Sequence, residues 1–209
     1  MKSLIVLSGC SGAGKTTFWN FLKQNPQAEA QIISAIPHFD IGAANLLDAT
    51  KPLRKAITQD ITQVLKQNSG LLVLHYDITH VFRIGLKRFE KDPALKLLSH
   101  FDQVDFIHLQ TPPQKLRQQF EERSIERIKA GLKKNNLSTK IRSLLRRLTA
   151  FMRNRQFMSE DEIYADEASI QNINNSWLDY IKTTAPLDPS KRIIMIKPTD
   201  NMNFEIVPT

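Results

Sequence analysis

The strongest constraint on the fold of this chain is a glycine-rich segment close to its beginning. Residues 9–16 read GCSGAGKT and match the pattern G-x-x-x-x-G-K-[ST] at every fixed position. Residues 4–7 form a short apolar run before it, which is typical of a strand buried on both faces. Apolar residues then recur at helical spacing until Pro26. The segment therefore predicts a strand, a tight loop and a helix in direct succession.

The chemistry of this loop points to a phosphate group. Glycine lacks a Cβ atom, so the backbone wraps closely around an anion, and its N–H groups converge there at the positive end of the following helix. We expect Lys15 to reach the outer phosphates of a nucleotide as a positive charge and Thr16 to offer its hydroxyl to Mg²⁺. The expected nucleotide-binding residues are Gly9, Ser11, Gly12, Ala13, Gly14, Lys15, Thr16 and Thr17.

Composition sets the size and class of the protein. A chain of 209 residues with 41% hydrophobic and 24% charged residues is long enough for one globular domain, here taken as residues 1–209. It holds a single cysteine, Cys10, which excludes an internal disulfide and favours a reducing, cytoplasmic compartment. No apolar run approaches the roughly 20 residues that cross a bilayer, so we expect no transmembrane segment.

Strand and helix patterns alternate along the rest of the chain. Further strands are predicted at residues 31–36, 71–76, 103–109 and 192–196, with amphipathic helices between them. This alternation predicts an α/β fold with a five-stranded, mostly parallel sheet and helices on both faces. Because ligands of such sheets bind at the carboxyl ends of the strands, polar residues that follow the strands become candidates for the site.

Two aspartates stand at such positions. Asp77 follows the third predicted strand and is a candidate ligand of Mg²⁺, or alternatively the N-cap of the next helix. Asp40 follows the second predicted strand and is a candidate catalytic residue that receives a proton from an acceptor hydroxyl, or an ordinary loop aspartate. Arg54, in the helix after it, would pair with an anionic acceptor, although a solvated helix charge is the favoured interpretation.

Two arginines mark the helix after the fourth predicted strand. Arg123 and Arg127 are four residues apart and so project from one face of that helix. In phosphoryl transfer, arginines on a mobile element close over the phosphates and stabilise charge in the transition state, which makes both candidate catalytic residues. The alternative is a surface helix in which the arginines pair with three neighbouring glutamates, Glu121, Glu122 and Glu126.

Basic charge is concentrated in this part of the chain. The formal net charge is +8, and residues 113–155 contain 13 lysines or arginines against 3 glutamates, a local balance of +10. We take residues 112–158 as a helical, lid-like basic subdomain. Residues 133–155 would contact a nucleic acid or another anionic polymer. A solvated helix packed beside the lid explains them equally well, and polymer binding is not favoured.

The residues quoted above resemble a known group of enzymes. With GCSGAGKT, the strand before Asp77 and the segment FIHLQTPPQKLRQQFEERSIERI, the chain resembles the P-loop kinases of small molecules, among them nucleoside monophosphate, gluconate and shikimate kinases. The resemblance implies ATP and Mg²⁺ as cofactors and transfer of a phosphoryl group to a small-molecule acceptor. It also implies nucleotide phosphate binding by residues 9–17 and lid arginines at Arg123 and Arg127.

The sequence departs from the nucleotide-specific members of that group. Their Asp-Gly-x-Pro-Arg turn is absent after Asp77, which leaves a sugar, another metabolite or a polymer-linked hydroxyl open as the acceptor. The guanine-recognition pattern N-K-x-D is missing as well, which favours ATP over GTP. Two alternative functions stay open: a sulfotransferase that holds the 5′-phosphate of a sulfonucleotide, and a non-catalytic, nucleotide-gated binder of polyanions.

Overall fold

The computed structural model describes six stretches of the chain, residues 2–68, 70–86, 88–132, 158–184, 191–199 and 204–207, apart from the side chains of residues 127–132 and 184. The basic segment 133–155, with its predicted polymer-binding role, lies outside the described residues. So does most of the predicted subdomain 112–158, of which the structure describes the first helix. Within the described stretches, no helix is both long and apolar enough to cross a membrane.

One six-stranded sheet organises the described residues. Its strands are β1 (Ser3–Gly9), β2 (Asn45–Asp48), β3 (Leu72–Asp77), β4 (Gln103–Leu109), β5 (Ile193–Pro198) and β6 (Phe204–Val207). They lie in the order β2-β3-β1-β4-β5-β6, in which β6 is antiparallel to β5 and the other pairings are parallel. The predicted α/β class with a mostly parallel sheet is confirmed. The sheet is mixed and has six strands rather than five, because the short β6 has no clear sequence pattern.

Helices fill the connections between the strands. The α-helices are α1 (Lys15–Gln24), α2 (Pro26–Ala35), α3 (Lys51–Gln67), α4 (Ile78–Arg83), α5 (Pro113–Leu132), α6 (Glu160–Ile163) and α7 (Glu167–Asp179). Two 3₁₀ segments, Phe89–Lys91 and Pro93–His100, lie between α4 and β4. A π-helical segment, Tyr180–Thr184, continues α7. α3 is kinked at Asp60, whose carboxylate accepts a hydrogen bond from the Gln63 amide.

The central strand β1 carries the glycine-rich loop to the point where ligands are expected. All seven residues of β1 are buried, and it pairs with β3 on one side and β4 on the other. The chain leaves β1 toward β2 and leaves β4 toward β5, so these two neighbouring strands send their connections in opposite directions. Ligands of α/β sheets bind at such a reversal, outside the carboxyl ends of the strands. The topology therefore favours the loop after β1 as a binding site.

The prediction of a strand at residues 31–36 is wrong, because this segment belongs to α2 and its C-cap. The Asn25 side chain accepts a hydrogen bond from the Ala28 amide at 3.1 Å, and Pro26 occupies the first turn, so the chain has both signals that start a helix. A short apolar run does not distinguish a strand from a buried helical segment by itself. The second strand is instead β2, a short edge strand that is mostly exposed.

An aromatic cluster around Trp177 of α7 forms the core beside β3. Trp177 is fully buried, and its ring stacks on Tyr76 and Tyr180 with centroids 5.1 and 5.4 Å apart. The Phe89 ring meets the Trp177 ring edge-on at 4.9 Å. Such aromatic pairs contribute about 0.5–1.5 kcal/mol each beyond the burial of their area. The cluster thus fixes α7 and the 3₁₀ segments against the strand that ends in Asp77.

Candidate active site

The glycine-rich loop, residues 9–16, connects β1 to α1 through two left-handed glycines. Gly12 and Gly14 have φ angles of 88° and 87°, which residues with a side chain rarely adopt. Gly14 is the N-cap of α1 and, having no side chain, supplies no capping hydrogen bond to the first amides of the helix. The first amides of a helix need an external acceptor, and an anion supplies one in a favourable dipole field. The loop therefore has the backbone of an anion site.

The side chain of Lys15 folds back into this loop. Its Nζ donates hydrogen bonds to the carbonyl oxygens of Gly9 at 2.9 Å and Cys10 at 2.8 Å, and the residue is only 6% exposed. Burial lowers the pKa of Lys15, and the Asp77 carboxylate acts against that shift. Hydrogen bonds between two charged groups are stronger than those to neutral carbonyls. An incoming phosphate oxygen would therefore compete well for Nζ.

A cavity of about 350 Å³ beside the loop brings most of the predicted residues together. Its lining consists of Ser11, Gly12, Gly14, Lys15, Thr16, Thr17, His75, Asp77, Gln119 and Arg123. We call it the site cavity. Thr16 and Thr17 are exposed, so their hydroxyls are accessible to a ligand.

Gly9 and Ala13, the other two predicted loop residues, contribute through the backbone. A Cβ atom on Gly9 would lie 3.0 Å from the Leu109 carbonyl oxygen, so only glycine allows this close approach of β4. The Thr111 hydroxyl donates to the Ala13 carbonyl at 3.0 Å. Both contacts attach the loop to the carboxyl end of β4 and fix its shape.

Asp77 is predicted either to bind Mg²⁺ or to cap the next helix, and its position is compatible with both roles. It is the last residue of β3 and lies in register with Gly9, so its side chain lines the site cavity with Thr16. Its Oδ1 accepts hydrogen bonds from the Thr79 amide at 3.0 Å and the Thr79 hydroxyl at 2.7 Å, which caps α4. Its Oδ2 makes no hydrogen bond within the described part of the chain. The cap thus occupies one oxygen and leaves the other for a ligand of the cavity.

Arg123 lies directly over the loop. A Cβ atom on Gly12 would be 3.2 Å from Arg123 Nη1 and 3.4 Å from Gln119 Oε1, so both side chains of α5 contact this glycine closely. The predicted partner Arg127 lies outside the described side chains. Arg117, one turn and a half earlier, pairs with Glu121 at 3.2 Å on the exposed face. Among its described side chains, the helix therefore has one glutamate-paired arginine and one that faces the site.

The position of α5 over the loop is set by an aromatic contact. The Phe120 ring stacks on the Tyr164 ring with centroids 4.9 Å apart, and the Tyr164 hydroxyl donates to the Ser11 carbonyl at 2.8 Å. One tyrosine thus contacts both the helix and the loop. Since Arg123 follows Phe120 by one turn, this contact also positions its guanidinium group.

Asp40 does not lie at the carboxyl edge of the sheet. It precedes β2 rather than following a strand, and its Oδ1 accepts hydrogen bonds from the Gly42 and Ala43 amides at 2.9 and 3.1 Å, as an ordinary turn aspartate does. The neighbouring His38 approaches Asp105 near the amino end of β4, with Nε2 and Oδ2 3.3 Å apart. The wrong strand at residues 31–36 caused this error, and with it the reason for a catalytic Asp40 disappears.

Sequence reasoning missed three residues of the site: His75, Asp48 and Gln119. His75 lines the site cavity, and its Nδ1 contacts Oδ1 of Asp48, the last residue of β2. Because the carboxylate is an acceptor, this contact favours the proton on Nδ1 and leaves Nε2, which is buried and has no described partner, as a free acceptor. Burial lowers the pKa of His75. Asp48 follows a strand as Asp77 does, but that signal was hidden by the misplaced second strand.

A second cavity, of about 460 Å³, adjoins the site cavity on the other side of the loop. The two share Gly12, Gly14, Thr17 and Gln119. Pro198 and Phe204 give the second cavity an apolar wall, and Phe204 packs on the Phe18 ring with centroids 4.9 Å apart. It thus offers a ligand an apolar surface directly beside the glycine-rich loop.

A buried polar group supports the loop from behind. The Trp177 indole donates to Ser8 Oγ at 2.9 Å, and Ser8 Oγ lies 3.1 Å from His108 Nδ1. Burial lowers the pKa of His108 to about 3, so it is neutral at pH 7. Burial also raises the pKa of Cys10 to about 12, which makes this thiol a poor nucleophile. These residues stabilise the end of β1 and are not exposed to the site.

No protein-family model and no curated protein matches this chain. The candidate site therefore rests on its own geometry.

Proposed function

We propose that this protein is an ATP- and Mg²⁺-dependent phosphotransferase that moves a phosphoryl group to a small-molecule acceptor. One observation carries the proposal: Lys15, Thr16, Asp77 and Arg123 line a single cavity at the N-terminus of α1. Together they supply a phosphate-binding lysine, a hydroxyl, a carboxylate and an arginine, which are the parts that phosphoryl transfer needs. They come from three elements, so their convergence does not follow from the loop pattern alone.

The two adjoining cavities fit the two parts of a nucleotide. The phosphates would lie in the loop, where the backbone amides at Gly12 and Gly14 and the Lys15 ammonium neutralise their charge. The nucleoside would extend into the second cavity, where Pro198 and Phe204 offer apolar surface to a base. This arrangement leaves the β3 side of the site cavity, with His75 and Asp77, for the acceptor and the metal.

The donor atoms in the site cavity fit a magnesium ion. Mg²⁺ prefers oxygen ligands, keeps several waters and often binds through only one or two protein groups besides the phosphates. The exposed Thr16 hydroxyl and Asp77 Oδ2 provide two such oxygens. A magnesium ion held by these two oxygens would supply positive charge that neutralises the transferring phosphates.

The protein residues then have separate roles. Lys15 exchanges its two loop carbonyls for phosphate oxygens, which places its charge on the transferring group. Arg123, over Gly12, stabilises negative charge from the opposite side. His75 Nε2 accepts a hydrogen bond from the acceptor hydroxyl in the same cavity and orients it toward the phosphorus.

Calorimetric titration tests the proposal directly. Wild-type protein should bind ATP in the presence of Mg²⁺ and more weakly in EDTA. Lys15→Ala should reduce the affinity for ATP by at least tenfold, because a charge-assisted phosphate contact contributes about 1.5–3 kcal/mol. Lys23→Ala, which changes a lysine in the last turn of the same helix, is the matched control and should bind as wild type does. Unchanged affinity in a folded Lys15→Ala protein would overturn the proposal.

A second titration separates phosphoryl from sulfuryl transfer. A sulfonucleotide should bind more weakly than MgATP and should gain nothing from Mg²⁺. The reverse order of affinities, with no effect of the metal, would instead support the sulfotransferase alternative.

A further inference from the structure

A separate pocket of about 500 Å³ lies on the same side of the sheet as the site cavity. Half of its lining comes from α3, which follows the carboxyl end of β2, and the rest from His80 of α4, from the loop after α4 and from the two 3₁₀ segments. His80 lines this pocket and Asp77 lines the site cavity. They are three positions apart in sequence, so their Cα atoms lie within about 10 Å of each other. We call the pocket beside α3 the basic pocket.

The charge of the basic pocket has one sign. Its described lining includes three exposed lysines, Lys51, Lys55 and Lys91, together with the buried Arg54, and it contains no aspartate or glutamate. Like charges brought together in a concave surface raise the local concentration of anions. The positive side chains come from α3 and from the 3₁₀ segment Phe89–Lys91, so they are not one exposed helix face.

Arg54 gives the pocket a fixed, partly unused donor. The residue is 6% exposed, and its Nε and Nη2 donate to the two oxygens of Asp92 at 2.8 and 2.7 Å. Asp92 is held in turn by the Tyr76 hydroxyl at 2.8 Å and the Ala94 amide at 3.0 Å. Nη1 is buried and has no described partner. Buried donors are almost always paired, so an unpaired one in a rigid guanidinium group beside a cavity indicates an absent acceptor.

The rest of the pocket wall is apolar. Ile84, Leu86 and Pro93 line it, and the aliphatic parts of the lysine side chains add to the same surface. An inorganic ion would leave this surface in contact with water. The combination therefore selects a ligand that carries an anionic group on an apolar body.

We propose that the basic pocket binds the anionic end of the phosphoryl acceptor, a small organic carboxylate or phosphate ester with an apolar body. The assignment as acceptor site rests on the proposed function, while the binding of such an anion does not. The anionic group would contact Arg54 Nη1 and the lysines, and the hydroxyl to be phosphorylated would extend past His80 toward His75 and Asp77.

Fluorescence titration with anilinonaphthalene sulfonate tests the binding, because this probe is itself an anion on an apolar body. The double variant Lys51→Ala/Lys91→Ala should bind the probe about tenfold more weakly than wild type, since each lost contact with a partly exposed charge reduces affinity severalfold. Lys66→Ala/Lys96→Ala removes two lysines outside the pocket lining and should stay within about twofold of wild type. Equal affinities in the two double variants would overturn the inference.

Competition identifies the anionic group and checks the assignment as acceptor site. Benzoate and phenyl phosphate carry the same ring, so the stronger competitor shows which anion the pocket prefers, and failure of both to displace the probe would contradict the proposal. A saturating non-hydrolysable ATP analogue with Mg²⁺ should leave the probe bound. Displacement by the analogue would assign the pocket to the nucleotide and overturn the acceptor role.

The same proteins distinguish this inference from the proposed function. The Lys51→Ala/Lys91→Ala variant should keep the wild-type affinity for MgATP, because neither lysine lines the site cavity. If the wild-type protein binds no MgATP but the Lys51→Ala/Lys91→Ala variant binds the probe more weakly as expected, the proposed function fails. Anion binding by the basic pocket then still stands. If MgATP binds as expected and the lysine substitutions do not change the affinity for the probe, the inference about the basic pocket fails and the proposed function stands.

Discussion

The site cavity and the basic pocket lie on the same side of one sheet and are built in different ways. The glycine-rich loop presents backbone amides, and its shape follows from the φ angles of Gly12 and Gly14 in a run of eight residues. The basic pocket presents side chains, and its central group, Arg54, is oriented by a carboxylate 38 residues away in sequence. One site depends on local conformation and the other on long-range packing.

This difference determines which substitutions would damage each site. A backbone site is most sensitive to a change of its glycines, because residues with a side chain adopt their conformation only with strain. A side-chain site tolerates local backbone changes but not the loss of a buried partner, because the remaining charge has no compensation. The predictions below test that contrast, in decreasing order of the expected effect.

Removal of the carboxylate under Arg54 should have the largest effect on stability. Asp92→Asn leaves the buried guanidinium unpaired, and breaking such a pair destabilises the folded state by about 3–5 kcal/mol. Chemical denaturation measures the free energy of unfolding. Asp102→Asn, which changes an exposed aspartate bound to the Lys2 amide, is the control and should alter it little. A loss below about 1 kcal/mol in Asp92→Asn would mean that Arg54 is not held as described.

Two glycines of the loop offer a matched comparison with a smaller effect. Gly12→Ala and Gly14→Ala both place a side chain at φ near 90°, which costs about 1–3 kcal/mol. Only at Gly12 does the new Cβ meet the Arg123 guanidinium at 3.2 Å, whereas at Gly14 nothing lies within 4 Å. We therefore expect Gly12→Ala to lower the free energy of unfolding more, with the additional loss removed in Gly12→Ala/Arg123→Ala. Equal losses in the two single variants would show that Arg123 does not contact the loop in solution.

The pH dependence of stability tests the buried polar group behind the glycine-rich loop, formed by Ser8, His108 and Trp177. The pKa of His108 is about 3 in the folded state, below the ordinary value of 6.5, so the unfolded chain binds the proton first. Stability from this residue is therefore present above pH 6.5 and is lost as the pH falls from 6.5 toward 3, by at most about 1.4 kcal/mol per pH unit. Thermal unfolding between pH 7 and 4.5 should show a smaller slope in His108→Asn. An unchanged slope would place His108 in contact with water.

Asp77→Asn should have the smallest effect on stability and a specific effect on metal binding. The amide keeps an oxygen to cap α4, so the free energy of unfolding should fall by less than the roughly 1 kcal/mol of a lost N-cap. The affinity for ATP in EDTA should be unchanged, while the additional affinity gained from Mg²⁺ should decrease, as calorimetry with and without the metal would measure. A loss of stability with the Mg²⁺ effect intact would reduce Asp77 to a capping residue.

The parts that could be predicted from the sequence are those with local causes. The glycine pattern predicted the strand, loop and helix around Lys15, and the alternation of elements predicted the mostly parallel sheet. Asp77 could be found because it directly follows an apolar strand. In each case the residues that fix the structure lie within a few positions of the residue concerned.

The parts that were missed depend on distant residues. The apolar residues 31–36 fit a strand as well as a buried helix, and only the cap at Asn25 and the packing of α2 decide between them. That error moved Asp40 to the wrong end of the sheet and hid Asp48. Arg54 is expected from the sequence to be a solvated helix charge. It is buried because it donates a hydrogen bond to Asp92, which also accepts one from the Tyr76 hydroxyl, and no sequence pattern indicates that these three residues come together.

Trp177 has a consequence for how separable the two sites are. Its indole donates to Ser8 at the end of β1, and its ring stacks on Tyr76, whose hydroxyl holds Asp92 under Arg54. A single side chain thus forms a common wall behind the loop and the basic pocket. An engineer who wished to graft a different pocket onto the frame around the glycine-rich loop would therefore have to keep Trp177 and Tyr76 and change only residues outside them. The outer surface of α3 and α4 could be replaced in this way. Trp177 and Tyr76 would have to stay, because they support both the glycine-rich loop and the basic pocket.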